Sequence, residues 1–311
     1  MNPVFSLSKR RTTPVIEWDE PIGEGETHRI FLVFDAHFDS KACRLDLLRS
    51  HLGQAAEEGA PILFGGDTFD AQGGHWHPGR SLDGVKDEFR GPDYLDRLVS
   101  GFVDLAGPVA ENVAFMGRGN HEDMISRNNN TDLIERSAER LRRLGSQVVT
   151  GGIGGWVLCR IRVTSTTRLL VPIYYHHGTA SGGLASKVTR RAAMLPEAAV
   201  VITGHTSDEY IVTVCRDRIV PRTGRVYQDE QLHVSSPGYA QTYNPEESSW
   251  CSRQERPPSP VGGTWLELTV SKGWDGTRQK NGAARLPHWE VIINARRAQG
   301  RGSSRASLAG W

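Results

Sequence analysis

The sequence predicts an α/β protein in which two β-sheets pack face to face with helices outside. Three observations point there. From residue 29 to 144, short apolar runs alternate with stretches of helical periodicity, the order that parallel crossover units need. After the glycine-rich segment 151–155 the helical signal gives way to a series of short strands. Five short polar segments each stand just behind an apolar run, where ligands gather in open α/β sheets.

Taken in order, residues 29–34 (RIFLVF) form a buried-strand run, residues 45–56 carry apolar positions at helical spacing, and 61–64 (PILF) form the next strand. The segment 70–92 is rich in Gly, His and Asp and has no period; loops of that length are uncommon unless functional or disordered. Residues 94–105 predict a helix and 113–116 a third strand. A helix follows over 131–144. Thr131 is its expected cap, with Asp132 and Glu135 in the first turn and Arg140, Arg142 and Arg143 near the end, as the helix dipole favours. Later strands are expected at 156–163, 168–174, 199–203, 210–214, 219–220, 232–235, 265–270 and 289–293, with a Pro-, Ser- and Glu-rich loop at 244–263. Residues 1–26 read as a polar N-terminal arm, 27–294 as one domain, and 295–311, rich in Arg, Gly, Ser and Ala, as a disordered tail.

A chain of 311 residues can bury a sizeable core. Its net charge of +1 supplies no global field toward nucleic acid or membrane. No apolar run reaches the length of a membrane span, and the first eighteen residues lack the apolar core of a signal peptide. Cys43, Cys159, Cys215 and Cys251 are widely spaced and form no C-x-x-C pair, which disfavours a structural zinc site and fits reduced thiols in a cytoplasmic protein.

The five polar segments are Asp35-Ala-His37, Gly65-Gly-Asp67, Gly119-Asn-His-Glu122, His176-His177-Gly178 and Gly204-His205-Thr206. Each alone has an ordinary reading as a turn, or, for the third, as a helix start capped by Asn120. Together they supply carboxylate, amide and imidazole ligands, a mixture that suits Mn, Fe or Zn better than Ca or Mg. Asp35 and His37, two apart at a strand exit, share a side in extended backbone and can bind one cation together. A carboxylate such as Asp67 can bridge two cations. Asn120 offers a carbonyl oxygen, and His177 and His205 offer ring nitrogens. His121 stands beside the metals rather than on one, where it can protonate a leaving oxygen, with Glu122 or Asp123 to orient it. The chemistry expected is that of a two-metal phosphoester hydrolase.

These segments resemble the signature of the calcineurin-like metallophosphoesterases, D-x-H, G-D-x-x-D, G-N-H-E, a histidine before glycine, and G-H-x, over residues 29–206. The resemblance implies a four-layer α/β/β/α sandwich with two mixed sheets and a dinuclear centre at one edge. It implies Asp35, His37 and Asp67 on the first metal, Asp67, Asn120, His177 and His205 on the second, and His121 as the catalytic histidine. His177 takes that place in the resemblance as the histidine before glycine, with His176 beside it as the alternative ligand. Arg118, Asn120 and His121 would contact substrate. Many members end the last motif in a second histidine; Ser207 stands there, leaving water or Asp208 to complete the first site. Ala71 follows Asp70 where the phosphoprotein phosphatase branch has a phosphate-clamping arginine.

The expected cofactor is a pair of divalent ions, manganese first, with iron, zinc or nickel as alternatives. The expected substrate is a phosphodiester, nucleic acid or nucleotide. A phosphomonoesterase acting on a small molecule or phosphoprotein, and a non-catalytic scaffold of the same fold, stand as alternatives. His75, His77, Arg80, Arg127, a basic lip of Lys187, Arg190 and Arg191, and the Arg-rich segment 296–305 are weaker candidates for substrate contact. No P-loop or G-x-S-x-G motif occurs.

Overall fold

The computed structural model describes residues 5–71, 82–178, 183–206, 208–241, 258–274 and 287–299. The chain begins with strands Phe5–Arg10 (β1), Thr13–Trp18 (β2) and Thr27–Val33 (β3), then helix Leu45–Glu57 (α1). Strand Ile62–Phe64 (β4), helix Tyr94–Ala106 (α2), strand Val113–Met116 (β5), helices Asn120–Asn129 (α3) and Leu133–Arg143 (α4), and strand Val149–Thr150 (β6) follow. Strands Gly154–Arg162 (β7) and Arg168–His176 (β8), helix Leu184–Met194 (α5) and strand Val200–Thr203 (β9) come next. The last strands are Tyr210–Val220 (β10), Arg225–Ser235 (β11), Thr264–Trp274 (β12) and Pro287–Arg297 (β13).

These strands form two mixed sheets, one ordered β13-β12-β3-β4-β5-β6 and the other β1-β2-β7-β8-β9-β11-β10. Strands β3 to β6 run parallel, as the crossover reading requires. β3 explains why its run is apolar without a break. Phe31 and Val33 pack under the helices, while Ile30 and Leu32 pack between the sheets, so both faces are buried. Leu48, Leu52 and Ala55 of α1, Leu98, Phe102 and Leu105 of α2, and Ile134, Ala138 and Leu141 of α4 recur at helical spacing and join Phe31, Phe64 and Met116 in the helix-side core. Ile173, Tyr175, Val200, Ile202 and Val234 of the second sheet meet Leu32, Leu63 and Phe115 of the first in the core between them. On the outer face of the second sheet lies α5, whose Arg191 Nη1 donates to the Tyr210 hydroxyl at 3.1 Å. The layers are therefore α/β/β/α. Among the described residues no helix is long and apolar enough to cross a membrane.

Several expectations are corrected. Residues 5–18 are not an arm; β1 and β2 pair antiparallel and join the second sheet through β7, with Ile16 and Trp18 buried in its core. An edge hairpin has solvent beside it and needs few apolar residues, so its composition hides it. β13 continues to Arg297, beyond the expected domain end at 294, because it pairs with β12 over its whole length. The cap of α4 is Asp132, whose Oδ1 accepts the Glu135 N–H at 3.1 Å, not Thr131. Residues 210–214 and 219–220 belong to one continuous strand. Helix α5 and most of helix α3 were not expected. His75, His77, Arg80, Ser207 and most of 244–263 lie outside the described residues.

Candidate metal centre

Five strand ends converge on Asp67, the residue that leaves β4. Its Oδ2 lies 3.0 Å from His177 Nε2, 3.7 Å from His121 Nε2 and 3.9 Å from His37 Nε2. Its Oδ1 accepts the backbone N–H of His121 at 3.0 Å, so the first turn of α3 points a donor at the carboxylate. His177 Nε2 also lies 3.0 Å from Asn120 Oδ1, 3.2 Å from His205 Nδ1 and 3.9 Å from Asp35 Oδ1. Asp35 Oδ2 accepts the His205 N–H at 2.7 Å, tying the two sheets together. Three groups of side chains thus lie close enough to hold a metal ion: Asp35 with His37 and Asp67, Asp67 with His177 and His205, and His37 with Asp70 and His121.

The backbone here is not extended, as the two-residue spacing of Asp35 and His37 had implied. Asp35, His37, Asp67 and His205 have φ of 48°, 41°, 48° and 74°, in the left-handed region that non-glycine residues seldom occupy. Of the seven such residues described, four are candidate ligands, and a fifth, Ala71, follows Asp70. Such strain persists only where surroundings over-determine it, and it concentrates at functional sites. The crowding is visible at Gly119, where a Cβ would stand 2.0 Å from Asp67 Oδ1, and at Gly204, where one would stand 2.8 Å from Asp35 Oδ2.

Buried carboxylates determine the electrostatics. Asp35 and Asp67 are each 2 % exposed, and among the described residues their ion-pair partners are histidines. Burial pushes the Asp35 carboxyl up to about 6, with the Asp67 charge adding and the histidines opposing. Burial also acts on Asp67, but the His177 hydrogen bond and the neighbouring imidazoles hold it well below the usual carboxylate range. Burial opposes charge on His177, yet Asp67 raises it to about 9. Burial opposes charge on His37 too, and Asp70, Asp67 and Asp35 raise it to about 10. His205 moves down through burial and the His177 charge. Imidazolium protons thus balance buried carboxylates, the balance a divalent cation also supplies. Asp35 Oδ1 is buried without a hydrogen-bond partner among the described residues, a lone acceptor that fits a cation. The donor set fits a transition ion.

Three supports were not anticipated in these roles. Glu122, 1 % exposed, does not orient His121. Its Oε2 accepts the N–H groups of Gly119 at 2.7 Å and Asp67 at 3.1 Å, and its Oε1 that of Phe69 at 3.0 Å. Asp123 pairs with Arg127 instead. Asp70 stands between two histidines, its Oδ1 3.0 Å from His37 Nδ1 and its carbonyl against His121 Nδ1. Asp39, fully buried, accepts the N–H groups of Asp70 and Ala71 and the Tyr94 hydroxyl. The x-x-D of G-D-x-x-D was the available sign for Asp70; Asp39 and the bracing by Glu122 had none. Arg118 is paired with Asp132. His176 faces away, its Nδ1 accepting the Gly178 N–H at 2.8 Å. Asp208 is exposed and belongs to none of the three metal-capable groups.

No family model and no curated protein matches the chain. Solved structures do. A conserved protein from Streptococcus pneumoniae TIGR4, described as a predicted phosphoesterase, aligns over 88% of this chain and 99% of its own at 9% identity and a TM-score of 0.33. Vps29 from Chaetomium thermophilum aligns over 88% of this chain and 98% of its own at 9% identity and a TM-score of 0.32. GAP50 of Plasmodium, described as the anchor in the inner membrane complex, aligns over 86% and 89% at 13% identity and a TM-score of 0.36. Two mixed sheets lie face to face with helices outside, and five segments rich in carboxylate, amide and imidazole meet at one edge, the four-layer arrangement that the sequence predicts.

Proposed function

We propose that the protein is a divalent-metal-dependent phosphodiesterase acting on nucleic acid or a nucleotide, with two transition ions, manganese first, at the Asp67 centre. The observation that carries this reading is the place of Asp67 in two of the three metal-capable groups, with His121, a member of the third, 3.7 Å from its Oδ2. When bound, such a pair of ions polarises phosphoryl oxygens and acidifies a water. The chain's own residues do the rest. Asp67 would serve both ions through a charged group with two acceptor oxygens, where an amide has one oxygen and no charge. Asp70 holds His121 through Nδ1, leaving Nε2 toward Asp67 and the site, where it can carry a proton to the leaving oxygen. With Arg118 paired to Asp132, the phosphate clamp expected of it is not the arrangement proposed.

The test compares bis-p-nitrophenyl phosphate with p-nitrophenyl phosphate under Mn, Zn, Ni and Mg. Metal-dependent turnover of the diester above the monoester is the expected result. Preference for the monoester would replace the proposal with a phosphomonoesterase, and no turnover with any ion would replace it with a non-catalytic use of the fold.

A further inference from the structure

The turn between β1 and β2 is built against local rules. The two strands pair from Phe5 opposite Trp18 to Arg10 opposite Thr13, which leaves Arg11 and Thr12 as a two-residue loop. Arg11 has φ 55°, at a loop position where glycine is the usual residue. Its side chain belongs to a run of three exposed cations, Lys9, Arg10 and Arg11. None of the three lies within salt-bridge distance of a carboxylate among the described residues. A strained residue without a packing role points to use.

The sheet register says where that turn lies. β2 is parallel to β7, with Val15 opposite Leu158, and β7 is antiparallel to β8, with Leu158 opposite Pro172 and Gly154 opposite His176. Counting back four residues along β2 sets Arg11 level with Gly154 and His176, next to His177. The turn is at the sheet end that carries the metal centre, two strand spacings away, about 10 Å. Leu7 N–H donates to Gln147 Oε1 at 3.1 Å, tying β1 to the segment before β6 and so to the Gly151–Gly152 loop that holds Arg118. On β7 and β8, between the turn and β9, Trp156 and Tyr174 form an edge-to-face pair with centroids 5.2 Å apart. Both are half-buried and face away from the core occupied by Val157, Ile173 and Tyr175. Cations flanking partly exposed aromatics are what a single nucleic-acid strand binds.

We propose that the β1–β2 turn is a phosphate-contacting arm, in which Lys9, Arg10 and Arg11 hold a nucleic-acid strand that crosses the metal edge. This rests on the phosphodiesterase reading above and names its substrate as a polymer. The arm lies outside the catalytic machinery, so it should not affect small diesters.

The test is fluorescence anisotropy with a labelled single-stranded oligodeoxynucleotide of about 12 nucleotides, in chelator, across a salt series. The variant Lys9→Gln, Arg10→Gln, Arg11→Gln should bind about 10-fold more weakly at low salt. Its log–log salt slope should fall by about 2, for three lost contacts to a single strand. Arg11→Gly should weaken binding while keeping or raising the melting temperature, since glycine suits the turn; a residue that was only structural would not separate these readouts. Hydrolysis of bis-p-nitrophenyl phosphate should be unchanged in both variants. That assay tests the catalytic reading, whereas anisotropy tests the arm, so each can fail alone. Equal affinity and equal slope in wild type and triple variant would overturn the proposal. So would binding to anionic lipid vesicles that depends on the three cations without any binding of the oligonucleotide.

Discussion

The two sheets contribute unequally to the metal edge. The six-stranded sheet supplies Asp35, His37 and Asp67, and leads into Asn120 and His121; the seven-stranded sheet supplies His177 and His205. The first half carries the negative charge and is braced from below. Glu122 takes three backbone N–H groups there and Asp39 takes two. The second half carries imidazoles, and it reaches across through the His205 N–H to Asp35 and through His177 Nε2 to Asp67 and Asn120. The difference has a physical cause. Buried carboxylates repel one another and must be held by fixed donors, whereas an imidazole can carry or lack its proton to suit its neighbours, as His177, raised by Asp67, and His205, lowered by burial, do.

The largest effect should come from the residue the two halves share. Asp67→Asn should reduce bound metal from about two ions per chain to less than one, because an amide cannot bridge as a carboxylate does; His205→Ala should lose only one. Full metal content in Asp67→Asn, by elemental analysis, would break the comparison at its centre.

Next comes the residue that binds no metal in this reading. His121→Ala should retain its ions but slow turnover by about 10²–10⁴-fold. The loss should be smaller with a p-nitrophenolate leaving group, which needs no proton. An equal loss for good and poor leaving groups would assign His121 to phosphate binding instead.

The bracing can be tested through stability. Glu122→Ala leaves three buried N–H groups without their acceptor and should cost about 3 kcal/mol; Glu122→Gln should cost less. An unchanged denaturation midpoint would mean that the braced half is not braced by Glu122.

The charge balance predicts the pH dependence of the metal-free protein. His37 and His177 have folded values raised to about 10 and 9, above the ordinary 6.5. Their contribution to stability is therefore fully present below pH 6.5 and is lost as pH rises through 9 to 10. Asp35, raised to about 6, loses stability in the same direction between its ordinary value and 6. Asp67, held low, acts oppositely, and its contribution is lost only as pH falls below the usual carboxylate range. In chelator the melting temperature should fall from pH 6 to pH 10, while the stabilisation by added Mn should grow, because metal must displace those protons. A melting temperature that rises over that interval would contradict the imidazolium–carboxylate balance.

The smallest effect is expected at Ser207. With three protein ligands on the first ion, chelator should remove the metals in two steps, and Ser207→His should slow the first. Simultaneous loss of both ions, or no effect of the substitution, would show that the halves hold their ions equally.

Much of this was legible in the residues. The parallel strands β3, β4 and β5 announced themselves because both faces are buried, so their runs are apolar throughout. The N-terminal hairpin did not, since an edge strand shows the solvent a polar face. Helix α5 was hidden for a related reason: among its residues only Val188 is buried, too little to mark a period.

The sequence alone determined the chemical inventory of the site. Carboxylate, amide and imidazole at five strand exits are statements about residue type and order, and both are local. Tertiary structure decided which of these groups meet and how they are held. Tyr175 packs into the core, so His176 turns outward and His177 takes the inner place. Glu122 reaches Asp67 across 55 positions and Asp35 reaches His205 across 170. The left-handed backbone at four candidate ligands is held by such contacts, because Asp and His tolerate that region better than most residues but do not by themselves impose it.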